Sequence, residues 1–73
     1  MPVEFSEHAK LQLKERGISM KAVLAVIAKP QKILSSYRGR KLRQGIIGDK
    51  ILEVVTKTEG TKITVVTAYS LED

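Results

Sequence analysis

His8 and Arg16 stand eight positions apart in the stretch FSEHAKLQLKERGIS, residues 5–19, and together offer parts of a phosphate-handling site. His8 is the only histidine in the chain. Imidazole is the side chain whose unperturbed pKa lies near neutrality, so His8 is the natural general acid or base. Arg16 carries a planar fork of donors that matches a phosphate. On a helix, steps of roughly 100° per residue place Glu15 nearly above His8, Gln12 about 40° to one side and Arg16 about 80° round. These four make a polar face. The same spacing also describes the solvated side of an amphipathic helix, and the residues alone leave both readings open.

Two further groups could join them. The run YRGRKLR, residues 37–43, holds Arg38, Arg40, Lys41 and Arg43 around one glycine, with Lys32 a few positions earlier. In a turn between strands these side chains would fan out toward a ligand. Arginine grips phosphate through paired hydrogen bonds and stacks on bases, whereas lysine meets it as a point charge. A charged edge hairpin that keeps the protein soluble would look the same. In TAY, residues 67–69, a hydroxyl and a phenol stand two positions apart, so on a regular strand they share a face. Alternation puts Ile63, Val65, Thr67 and Tyr69 on one side and Thr64, Val66 and Ala68 on the other. On an open face Thr67 and Tyr69 would hydrogen-bond phosphate or stack on a base. On a core face they would only pack.

The net charge of +5 is concentrated in the middle of the chain. Residues 29–50 carry seven basic side chains against Asp49 alone, while the rest carry six basic and seven acidic ones. Such a patch suits a polyanion, RNA or DNA, although a basic surface also serves solubility alone. The absence of cysteine excludes disulfides, thiolate metal sites and cysteine nucleophiles. One histidine excludes a histidine-rich metal centre, and Glu7, Glu15, Asp49 and Glu53 are scattered along the chain. There is no glycine-rich phosphate loop. No metal and no cofactor are therefore expected. No apolar run approaches the roughly 20 residues that cross a bilayer. The start, MPVEFSEH, does not read as a secretion signal, so no membrane association is expected and the expected compartment is the cytoplasm.

The elements that must position these groups follow from period and punctuation. The 73 residues suit a single domain. Ser6 is placed to cap a helix over about 7–16, and Gly17 to end it in a left-handed conformation. Ser19 is placed to cap a second helix over about 20–28, with Met20, Val23, Leu24 and Ile27 as its buried stripe and Pro30 as its stop. Strands are predicted over about 32–37, 42–47, 50–58 and 62–70, with RGRK (38–41), Gly48-Asp49 and Glu59-Gly60 as turns and Gly45 as a bulge. The predicted fold is α+β: two N-terminal helices packed on a four-stranded antiparallel sheet, in the order α-α-β-β-β-β.

His8-Ala9, Glu15-Arg16-Gly17-Ile18, an apolar helix stopped by Pro30 and a last strand ending in Thr67-Ala68-Tyr69 resemble a family of small microbial domains of unknown function. The resemblance covers almost the whole chain. The segment from Glu15 to Pro30 is also similar to BrnT-type toxins, and the layout is similar to RelE-like and colicin-type ribonuclease toxins. This resemblance implies a RelE-like fold and a toxin-like, metal-independent ribonuclease, with an antitoxin protein as partner. In such chemistry a 2′-hydroxyl attacks the adjacent phosphate, a base takes its proton, an acid protonates the leaving 5′-oxygen, and cations stabilise the pentacovalent charge. The roles implied here fall to His8 as acid or base, to Arg16 and Lys41, with Arg38, Arg40 and Arg43 in support, as charge stabilisers, and to Thr67 and Tyr69 as orienting groups. Two other classes stay open: a non-catalytic nucleic-acid-binding module using Lys32, Arg38, Arg40, Lys41 and Arg43, and an interaction domain that pairs through its sheet edge.

Overall fold

A computed structural model describes residues 2–71. The order is β1 (Val3–Phe5), α1 (Glu7–Arg16), α2 (Met20–Ala28), β2 (Lys32–Ser35), a 3-10 turn (Tyr37–Gly39), β3 (Arg40–Ile47), β4 (Lys50–Glu59) and β5 (Lys62–Leu71). The strands form one sheet in the order β1-β5-β4-β3-β2. The α+β class and the two leading helices agree with the sequence reading, but the sheet has five strands rather than four and is mixed rather than antiparallel. The added strand, β1, runs parallel to β5 and pairs Val3 with Ile63 and Phe5 with Val65. Three residues are too few to show a period, and their partner lies some sixty positions away, so no local signal marks them.

Both helices are set by their caps. Ser6 Oγ accepts from the Ala9 amide at 3.0 Å, and Ser19 Oγ accepts from the Ala22 amide at 3.1 Å. At the end of α1, Gly17 turns left-handed with φ of 67°. The Ile18 amide then donates to the Leu13 carbonyl at 2.9 Å and the Gly17 amide to the Lys14 carbonyl at 3.3 Å, which is the Schellman pattern. Arg16 is thereby fixed as the last residue of the helix.

The helices cover one face of the sheet, α1 over β5 and α2 over β3 and β4. Ala9 and Leu13 from α1, Val23 and Val26 from α2, and Leu52, Val54, Val65 and Ala68 from the sheet form the core. The buried stripe of α2 is therefore Val23 and Val26, flanked by Ala22 and Ile27, while Met20 and Leu24 are exposed. The helix is rotated relative to the expected stripe because Val26 descends onto Gly45. A Cβ at Gly45 would lie 3.1 Å from Val26 Cγ2, so this glycine permits close approach of helix to sheet and is no bulge. The pairing of β3 with β4 runs without interruption from Arg40 to Ile47.

The irregularity lies between β4 and β5. Val55 pairs with Thr67 and Thr56 with Val65, which leaves Val66 unopposed. This extra residue resets the alternation of β5. Ile63, Val65 and Ala68 are all buried toward the helices. Thr67 and Tyr69 no longer share a face with Ile63 and Val65 as regular alternation required.

The first hairpin also differs from expectation. β2 stops at Ser35, because Tyr37–Gly39 form a turn in which Arg38 and Gly39 have φ of 63° and 70°. β3 begins at Arg40, so only the first half of RGRK is turn and its second half is strand.

Candidate functional site

Arg16, at the C-terminal end of α1, reaches across to β5. Its Nη1 donates to Thr67 Oγ1 at 3.0 Å and to the Ala68 carbonyl at 2.9 Å. This contact falls where β1 has ended at Phe5, so β5 beyond Val65 has a neighbouring strand only in β4. Thr67 Oγ1 in turn donates to Gln12 Oε1, one helical turn before Arg16. Gln12 and Arg16 therefore grip the same hydroxyl from one stripe of α1, and the guanidinium remains exposed.

Tyr69 belongs to the same face, two residues along β5. Its phenol donates to Glu53 Oε2, and Gln44 Nε2 donates to Glu53 Oε1 at 2.7 Å. Glu53 is only 7% exposed, although it lies on the sheet face without helices. The hydrogen bond to Glu53, then burial, then the Glu53 charge push the Tyr69 pKa up to about 12, with Arg16 pulling the other way. Tyr69 thus keeps its proton at every physiological pH and acts as a fixed donor, not as a base.

A groove of about 330 Å³ opens beside this pair. Tyr37, Arg40, Leu42, Val55, Thr67 and Tyr69 line it, with Ser36 and Val66. Arg16 also borders a second hollow of about 240 Å³, where the α1–α2 connection meets Lys50 and Ser70.

The structure thus joins Arg16 to Thr67, and Thr67, Tyr69 and Arg40 line one groove, while Arg16 itself lines the neighbouring hollow. It divides the remaining basic residues, because β3 alternates. Arg40, Leu42 and Gln44 point to the open face, while Lys41 and Arg43 point to the helix face. Arg43 Nε donates to Thr56 Oγ1 at 3.0 Å, and Thr56 donates to the Lys41 carbonyl at 3.2 Å. The predicted fan of cations is split by this strand geometry. Arg38 sits in the exposed turn, and Lys32 lies on the outer strand opposite Gln44. His8 is exposed in the first turn of α1, on the stripe that continues to Gln12 and Arg16. At a rise of 1.5 Å per residue it lies roughly 12 Å up the helix from Arg16. Among the described residues His8 makes no hydrogen bond or ion pair, and no three His, Asp or Glu side chains cluster as a metal site requires.

Sequence reasoning missed the Gln44–Glu53–Tyr69 chain, the place of Lys50 beside Arg16, and Tyr37. The one available signal was the identity of Glu53, a lone acid in the apolar strand KILEVVT.

No helix among the described residues is long and apolar enough to cross a membrane. No curated protein matches the chain in sequence. Among solved structures, the Brucella abortus ribonuclease toxin BrnT has a similar fold, with a TM-score of 0.80 at 16% identity, covering 100% of this chain and 99% of that one. Residues 5–70 match the family described as a domain of unknown function, DUF4258, and the chain belongs to that family.

Proposed function

We propose that this protein is a toxin-like ribonuclease that cleaves RNA without a metal ion, at the junction of α1, β5 and the open-face groove. The observation that carries the reading is Arg16. Two acceptors hold one of its nitrogens, Thr67 Oγ1 and the Ala68 carbonyl, while the guanidinium faces solvent beside a groove that contains a second arginine, Arg40. A guanidinium fixed in this way can meet the charge that develops on phosphorus without first being ordered. The fold shared with a ribonuclease toxin supports the same reading. A wider kinship with RelE-like and colicin-type toxins belongs to it, as do action in the cytoplasm and control by an antitoxin protein.

In this mechanism the 2′-hydroxyl attacks the neighbouring phosphorus and the 5′-oxygen leaves, giving a 2′,3′-cyclic phosphate and a free 5′-hydroxyl. Arg16 stabilises the equatorial oxygens, with Arg40 on the flanking phosphate. Lys41, from the other side of β3, adds only long-range field. Thr67 and Gln12 fix Arg16, and Tyr69 fixes the groove wall. His8 serves as acid or base where an RNA strand lying along the α1 stripe brings the 2′-hydroxyl or the leaving 5′-oxygen within its reach, and water carries the other proton transfer. The separation of His8 from Arg16 favours one second reading, a non-catalytic RNA-binding module built on the same groove.

Incubation of the purified protein with mixed cellular RNA in EDTA, followed by analysis of the product ends, tests the proposal. Fragments with 2′,3′-cyclic phosphate and 5′-hydroxyl ends are expected. RNA that is bound but left intact would select the binding module.

A further inference from the structure

Tyr37 is 80% exposed, the most exposed of the large apolar and aromatic side chains among the described residues. It stands at the rim of the groove on the opposite side from Thr67 and Tyr69. An exposed aromatic ring gains nothing for the core. The turn that holds it is unusual. Tyr37 is followed by two left-handed residues, Arg38 and Gly39, and the first of these is not a glycine. The turn is closed by the Ser36 amide donating to the Arg40 carbonyl at 2.9 Å. Non-glycine residues in this region are costly and cluster where a chain must present side chains in a set direction. Two arginines, Arg38 and Arg40, follow Tyr37 in this turn, and Arg40 lines the same groove.

We propose that Tyr37 is a stacking platform for one unpaired nucleobase of a single-stranded RNA, seated in the open-face groove with its flanking phosphates on Arg40 and Arg16. Three observations converge on that ligand. The floor between Tyr37 and Tyr69 is apolar, made by Leu42 and Val55, which suits a planar ring. Arg40 in the lining, and Arg16 held against the lining residue Thr67, suit the phosphates on either side of it. At about 330 Å³ the groove lies at the low end of small-ligand sites, a size that suits one splayed base. The stacking site fixes which nucleotide lies beside Arg16, and thus where a strand is addressed relative to its sequence.

The inference rests on the RNA-directed reading, and its test separates the two. Fluorescence anisotropy measures binding of a short labelled oligouridylate, and of the matching abasic ribose-phosphate oligomer, to the wild type, Tyr37→Ala and Tyr37→Phe. Because Tyr37 is so exposed, thermal melting should show all three equally folded. Tyr37→Ala is expected to weaken oligouridylate binding about tenfold and Tyr37→Phe to retain it within about twofold. The abasic oligomer is expected to bind wild type and Tyr37→Ala alike. Unchanged binding by Tyr37→Ala, or an equal loss on the abasic oligomer, overturns the stacking site alone. A wild type that binds neither oligomer ends both readings. Binding without cleavage ends the catalytic one and leaves the stacking site standing.

Discussion

Arg16 does two jobs with one side chain, tying α1 to β5 through Nη1 and presenting a charge to solvent. Arg16→Ala is expected to lower the rate of RNA cleavage about 100-fold, the usual cost of removing one preorganised donor. It should lower stability by only about 1 kcal/mol, since the lost hydrogen bonds lie near the surface. Arg16→Lys keeps the charge but not the fork, and should recover less than a tenth of the lost rate. Steady-state rates with thermal melts of the same samples check both. Tyr69 makes a pH prediction. Its pKa is raised in the folded state to about 12 from the ordinary 10.0. Its contribution to stability is therefore fully present below pH 10 and is lost as pH rises toward 12, because the unfolded chain releases this proton first. Tyr69→Phe should lack that loss, so the stability difference between wild type and variant should shrink across this window in urea titrations. That His8 and Arg16 lie on one stripe of α1 was legible in the sequence, because it needs only the helical period. The Thr67 contact was not, because it depends on a residue inserted fifty positions away.

At the scale of elements, that inserted residue is Val66. Without it, alternation from Ile63 and Val65 would bury Thr67 and Tyr69 under the helices and expose Ala68. The bulge lets β5 contribute Ile63, Val65 and Ala68 to the core and still deliver a hydroxyl and a phenol to the open face. The helix caps and the Gly48 turn were readable, because Ser6, Ser19, Gly17 and Gly48 act on the nearest backbone neighbours. The bulge, the rotation of α2 and the parallel β1 were not, because each is decided by packing between distant segments. Gly45 shows the difference. Read along β3 it looks like a break in a strand, but in the fold it is the space that Val26 occupies. Gly45→Ala is expected to destabilise the protein by about 1–3 kcal/mol through overpacking. Adding Val26→Ala should make the Gly45→Ala step nearly neutral, a coupling that a double-mutant cycle by chemical denaturation would read directly.

At the scale of the molecule, a net charge of +5 draws the chain to polyanions, but the sheet decides which cations reach a ligand. Arg40 faces the groove, whereas Arg43 is engaged with Thr56 on the helix side. RNA affinity should fall with salt, and Arg40→Ala should reduce the slope of log K against log salt by about 0.7, the value for one phosphate on a single strand. Arg43→Ala should leave that slope unchanged and lower the melting temperature instead. Composition pointed toward a polyanion but could not give this division, because the positions of Arg40 and Arg43 differ only in the face of β3 they occupy. In the proposed mechanism Arg16 stabilises charge at a phosphate undergoing cleavage. The most direct test is single-turnover cleavage of RNA in EDTA by wild type, Arg16→Ala and His8→Ala, with RNA binding measured on the same preparations. Cleavage by wild type is expected, with a loss of about 100-fold in Arg16→Ala that exceeds any loss of binding, and a slower, pH-shifted reaction in His8→Ala. Cleavage undiminished in Arg16→Ala, or salt-sensitive binding with no cleavage by the wild type, would contradict this mechanism.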